Sequence, residues 1–193
     1  DQKYIPVNGI KIHTVSYAPA EIEVEIKTSC PGTVKVEILD KNQIVLTQEV
    51  ENTGHPSVLR MEIPDAKLWD CEHPNLYTLR ATFGEDVVEE NFGIRLLEWN
   101  PEKGLTINGK REILRGACVH HDNGVLGACT YPEAEERRVR ILKENGYNAI
   151  RSSHYPCSKD MLDACDRLGM LVMDEYVDVW YIHKTKYDYV NYL

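Results

Sequence analysis

The chain changes period once, near residue 100, and that change limits the folds open to it. Before it, apolar and polar residues alternate strictly. In AEIEVEIKT, Ile22, Val24 and Ile26 share one face while Glu21, Glu23 and Glu25 share the other, and TVKVEILD repeats the pattern with Val34, Val36 and Ile38. Successive side chains of a strand point to opposite faces, so such runs read as half-buried antiparallel strands. Turn formers separate them at CPG (30–32), DKNQ (40–43) and NTGHP (52–56), and further strand-like runs fall at 59–63, 77–83 and 87–92. About seven short strands at this spacing predict an immunoglobulin-like β-sandwich over residues 1–99. No Cys–Trp–Cys core signature accompanies them, so the generic sandwich is what the pattern supports.

From residue 100 the periods of strand and helix alternate. REILRGACV (111–119), YNAIRSS (147–153) and MLVMDEY (170–176) read as strands. YPEAEERRVRILKENG reads as a helix, with Pro132 in its first turn, acidic residues early and Gly146 past its end. SKDMLDACDRLG reads as a second helix, capped by Ser158 and terminated by Gly169. Strand–helix–strand–helix–strand with short links implies parallel strands. By pattern alone, residues 100–193 form either a small open sheet or the first part of a larger α/β domain. The tyrosine-rich tail YVDVWYIHKTKYDYVNYL is expected to become helical near its end.

Charge and cysteine usage narrow the function classes. With 31 acidic against 22 basic residues the 193-residue chain carries a net charge of −9. That balance opposes binding to nucleic acid or an anionic membrane, both of which need a positive surface. No run approaches the roughly 18 apolar residues of a membrane span, and no basic-then-apolar leader precedes the first strand. The six cysteines form no CxxC pair and suit neither a zinc site nor a disulfide framework. They suit a reduced, cytoplasmic setting, with Cys118 and Cys165 behaving as small hydrophobes.

In a parallel α/β sheet, functional groups gather at the C-terminal ends of the strands. Here those ends are VHHDN, SSHYP and MDEY, which bring His120, His121, Asp122, His154, Asp174 and Glu175 to one rim. A single histidine is more often a packed residue than a functional one. Three consecutive strands ending in imidazole or carboxylate groups weigh the other way. Two chemistries fit such a rim, a metal-dependent hydrolase or a glycosidase. Adjacent His120 and His121 would point opposite ways on extended backbone, which favours the sugar chemistry slightly, and no metal or other cofactor is expected. A non-catalytic carbohydrate-binding or interaction module is the remaining alternative.

Several segments together resemble glycoside hydrolase family two, which includes β-galactosidases, β-glucuronidases and β-mannosidases. They are FGIR (92–95), LTINGKREILRGACVHHD (105–122), LKENGYNAIRSSHYP (142–156) and LDACDRLGMLVMDE (162–175), with LWDCEHPNLYTL (68–79) matching the end of the family's immunoglobulin-like domain. The resemblance implies that residues 100–193 are the first three strands and two helices of an incomplete TIM (β/α)8 barrel. It implies that His120 and His154 line the pocket for the non-reducing-end sugar, with Asp174 and Glu175 near it. Trp180 resembles an aromatic position in one branch of the family. The stretch from His120 to Ala128 resembles the β-galactosidase branch.

The family's two catalytic glutamates follow barrel strands four and seven, the first in an Asn-Glu pair, and no such pair occurs after Glu175. The chain also shows no N-terminal jelly-roll domain. The resemblance therefore implies a chain inactive by itself, with no catalytic residue of its own and with an unfinished sheet edge open to self-association.

Overall fold

The computed structural model describes residues 2–176 and residue 186. The chain divides into two compact units, residues 1–112 and 113–193.

The first unit is a seven-stranded sandwich. Its strands are β1 (Ile10–Tyr17), β2 (Ala20–Ile26), β3 (Gly32–Asp40), β4 (Gln43–Asn52), β5 (Ser57–Glu62), β6 (Tyr77–Phe83) and β7 (Asp86–Phe92). They form a three-stranded sheet, β1-β2-β5, and a four-stranded sheet, β4-β3-β6-β7, every pair antiparallel. Strand β2 follows the predicted alternation residue by residue, and β6 alternates likewise. In β3 Val34, Val36 and Ile38 are buried as predicted, but Glu37 and Leu39 are buried as well. Ile22, Val24 and Ile26 from one sheet share a core with Val34, Val36, Ile38, Leu79 and Phe83 from the other. Each such side chain taken out of water contributes roughly 1.5–3 kcal/mol, so the alternating apolar set supplies most of what holds the two sheets together.

Three short strands, β8 (Leu97–Asn100), β9 (Gly104–Ile107) and β10 (Lys110–Arg111), follow as an antiparallel meander. Asn108 and Gly109 join β9 to β10 with φ of 51° and 76°. Left-handed backbone at both central residues is the two-residue turn that Asn-Gly favours, because its twist matches that of the flanking strands. The meander belongs to the first compact unit although it lies beyond the change of sequence period near residue 100. Its anchor is Asn108, whose Nδ2 donates to the Trp69 carbonyl at 3.0 Å and whose Oδ1 accepts from Leu96 N at 2.9 Å.

The strand expected over 111–119 is therefore two pieces. Arg111 ends β10, and the next strand, β11 (Gly116–Val119), begins only after a stretch without ladder pairing. In that gap the side chain of Asn148 replaces a neighbouring strand, donating to the Ile113 carbonyl at 2.9 Å and accepting from Arg115 N at 2.7 Å. Asn148 is almost fully buried, and its amide satisfies groups that would otherwise be costly to bury.

The second unit is the expected parallel arrangement. β11, β12 (Ala149–Ser152) and β13 (Leu171–Met173) form a parallel sheet in sequence order. Helix α1 (Pro132–Glu144) links the first two strands and α2 (Lys159–Leu168) links the second pair. Ser158 caps α2, its Oγ accepting from Met161 N at 3.2 Å, a contact worth about 1 kcal/mol. Gly169 ends α2 with φ of 72°, a conformation in which most other residues would be strained. Val139, Ile150, Met161, Ala164, Cys165 and Met170 form the core of this unit.

Candidate functional site

The site is built where β11, β12 and β13 end. Ile150 is buried in the second unit's core while its neighbour Arg151 is exposed, as alternation along a strand requires. The sheet register sets Cys118, Arg151 and Met173 side by side in one row. All three are exposed, so this row lies on the face away from the core. Immediately beyond it the strands release His120, His154, Asp174 and Glu175.

His120, His154 and Glu175 come together. The His120 and His154 rings meet edge to face with centroids 5.4 Å apart. His154 Nδ1 lies 3.1 Å from Glu175 Oε2, and the other carboxylate oxygen of Glu175 is bound by the Arg151 guanidinium. Glu175 is thus shared between a cation and an imidazole. A donor at one ring nitrogen dictates what the other nitrogen can do, so this contact orients His154 for hydrogen bonding as well as fixing its ring. A carboxylate already neutralised by arginine is a poor ligand for a further cation, which weighs against the metal-hydrolase alternative. Among the described residues no group of three or more His, Cys, Asp or Glu side chains converges as a metal site would.

The other predicted residues take different places. His121 turns to Tyr155, with rings 5.2 Å apart, so adjacent His120 and His121 serve different partners. Asp122 lies 3.6 Å from Arg138. Asp174 accepts from Cys157 N at 2.8 Å, which ties the end of β13 to the loop leading into α2. Trp180 lies outside the described residues. Arg151 and Arg138 were not singled out from the sequence. Arg151 could have been found there, since it must face away from Ile150 and towards the row that carries the site.

Cys118 departs from its expected role as a buried hydrophobe. It is exposed, because it lies on the same uncovered face as Arg151. The Ser153 hydroxyl is buried and favours the Cys118 thiolate. Together with the Arg151 guanidinium at 3.7 Å, it holds that thiol below its ordinary value. Burial has the opposite effect elsewhere, pushing Cys157 up to about 11 and Cys165 higher still. The thiolate is the reactive form, and Cys157 is left with roughly a hundredfold less of it than an ordinary thiol. Iodoacetamide near pH 7.5 is therefore expected to alkylate Cys118 at least about a hundredfold faster than Cys157. Peptide mass spectrometry over a time course checks this, and equal rates would contradict it.

Comparison with known proteins places this geometry. The sequence model described as "Glycosyl hydrolases family 2" matches residues 7–95, and that described as "Glycosyl hydrolases family 2, TIM barrel domain" matches residues 101–188. The chain is 41% identical over 138 residues to the β-galactosidase BoGH2A of Bacteroides ovatus, a match covering 69% of this chain and 16% of that protein. It is 32% identical over 210 residues to a putative β-glucuronidase of Formosa agariphila, covering 96% of this chain and 20% of that protein. The crystal structure of a glycosyl hydrolase family 2 member from Bacteroides cellulosilyticus superposes with a TM-score of 0.89 at 35% identity, covering 98% of this chain and 27% of that one. The chain thus spans about a sixth to a fifth of the length of these two curated relatives. With both family models in their order, and the sandwich followed by the parallel strands and helices that those models describe, the chain belongs to glycosyl hydrolase family 2.

Proposed function

We propose that this chain is part of a retaining β-glycosidase that releases terminal β-linked sugars, and that the sugar is a β-galactoside. The observation that carries the reading is the convergence of His120, His154 and Glu175 at the C-terminal ends of three parallel strands, where barrel enzymes bind their substrates. In this reading the two imidazoles and the Glu175 carboxylate hold sugar hydroxyls. Asp174 holds the loop beneath them, and Trp180 supplies an aromatic surface.

A neutral hexose suits the rim better than a uronate. Among the described residues the two arginines bonded to rim residues are engaged, Arg151 by Glu175 and Arg138 by the His120 carbonyl and Glu135. A glucuronate carboxylate needs a cation that is not already committed. The relative of highest identity named above is itself called a β-galactosidase. Retaining hydrolysis requires two carboxylates about 5–5.5 Å apart flanking the glycosidic bond. We assign neither to these 193 residues, and the chain by itself is accordingly expected to be inactive.

Two measurements test this. Titrating the chain with D-galactose should shift the ring resonances of His120 and His154 at millimolar concentration, and D-glucuronate should shift them less. A stronger response to glucuronate would overturn the galactoside assignment, and no response to either would overturn the sugar reading of the rim. Nitrophenyl β-galactoside should be hydrolysed no faster by the chain than by its His154→Ala variant, and turnover above that control would place the catalytic carboxylates within the chain.

Among the described residues β11 and β13 each pair on one side only. Unpaired edges template association, so we further propose that the chain dimerises or swaps strands through them. Light scattering should show the mass rising with concentration; a constant monomer mass would reject it.

A further inference from the structure

We propose that Arg138 is a positioning residue for His120, acting through the backbone that carries the imidazole; the proposal rests on the reading of this rim as a sugar site. Arg138 lies on α1, one turn after Glu135. The Glu135 carboxylate is nearly fully buried, its side chain 2% exposed, and Arg138 is its counter-charge at 3.4 Å. A buried carboxylate demands such a partner, but neutralising Glu135 is only part of what the guanidinium does. Its Nη2 donates to the His120 carbonyl at 2.6 Å and lies 3.6 Å from the Asp122 carboxylate. Asn123 reaches back to Glu135 at 3.4 Å. Three residues of the loop leaving β11, namely His120, Asp122 and Asn123, are therefore tied to α1 through one ion pair.

The preceding carbonyl is held from the other side. Val119 O accepts from Ser153 N at 2.9 Å, one residue before His154. Successive carbonyls at 119 and 120 are thus fixed by two elements, β12's exit and α1. The His120 ring between those anchors is brought edge to face with His154. A planar fork can serve a carbonyl and two carboxylates at once, which a single ammonium cannot do in the same geometry. A purely structural ion pair would not need to spend its shortest hydrogen bond on the carbonyl of the residue presented to the site.

The test uses the 193-residue chain and the nuclear Overhauser contact between the His120 and His154 ring protons. Two variants are needed, because removing Arg138 alone leaves Glu135 buried and unpaired. Arg138→Lys keeps the charge and loses the fork. The double variant Glu135→Gln with Arg138→Met removes both charges together. Both are expected to weaken the ring contact at least threefold while contacts among Val139, Ala164 and Met170 persist. Ring contact at wild-type strength in Arg138→Lys overturns the proposal, and that variant alone decides if the double variant does not fold. Galactose titration of the wild-type chain is read separately. If sugar leaves His120 unmoved, the sugar reading fails, while the ring contact still reports whether Arg138 positions the imidazole.

Discussion

Gly93→Ala is expected to destabilise the sandwich unit by about 3 kcal/mol or more, although it adds a single methyl group. A Cβ built on Gly93 would lie 2.7 Å from Cβ, Cγ and Cδ1 of Trp69. Trp69 is 1% exposed and has little room to retreat. Its N–H donates to the Ile94 carbonyl at 2.9 Å, its carbonyl accepts from Asn108, and the Arg95 guanidinium lies 4.4 Å from its ring centroid. Overpacking usually costs about 1–3 kcal/mol, and the cost is greatest where the neighbours cannot shift. Trp69→Ala removes the ring with Cγ and Cδ1, leaving only the Cβ contact, and costs about 3–5 kcal/mol by itself through the cavity it leaves. The double variant should cost clearly less than the sum of the two, because two of the three close contacts are gone and the cavity gives the third room to relax. Urea denaturation of the three variants checks this. A Gly93→Ala midpoint matching wild type, or simple additivity, would contradict the packing account. The FGIR motif thereby acquires a physical meaning: glycine admits the tryptophan, and arginine lies over it.

The second large effect concerns the site. Glu175→Gln is expected to weaken galactose binding by roughly 30-fold, equivalent to about 2 kcal/mol, because hydrogen bonds involving a charged group contribute about that much. Glutamine keeps the shape of the side chain and loses the charge that Arg151 and His154 share. Its amide nitrogen must face one of them, and Arg151 offers only donors. The fold should hardly respond, since the Arg151 side chain is 46% exposed and a solvent-screened ion pair contributes little. The discriminating result is a loss of affinity with an unchanged urea midpoint. Affinity within twofold of wild type would mean that Glu175 neither touches the sugar nor orients His154.

Much of the fold was legible because its signals are local. The alternation of β2, and the apolar positions Val34, Val36 and Ile38 of β3, follow from the pleat and need no partner to be read, whereas the burial of Glu37 and Leu39 in β3 was not legible in that way. The ends of α2 are equally local, a serine cap at one end and a left-handed glycine at the other. The break between β10 and β11 was not legible in the same way. REILRGACV is apolar enough for one strand, and it is divided because Asn148, more than thirty residues away, satisfies the backbone of 113–115. The Asn108-Gly109 turn was a sequence signal for that break, since a hairpin there ends β10 at Arg111.

The candidate site divides along the same line. The sequence by itself determined that His120, His154, Asp174 and Glu175 leave consecutive parallel strands at the same end, because strand order and chain direction follow from the βαβαβ pattern. Only the tertiary structure decided which of them touch. Register placed Cys118, Arg151 and Met173 in one row. Side-chain geometry then gave Glu175 to Arg151 and His154, and gave Asp174 to the loop before α2. Arg138 and Glu135, which read as ordinary members of a charged helix, became a pair of one buried carboxylate and one half-buried guanidinium holding the His120 loop. The physical reason is that hydrogen bonds and ion pairs form over a few ångströms between residues far apart in the chain, a separation that sequence periodicity does not encode.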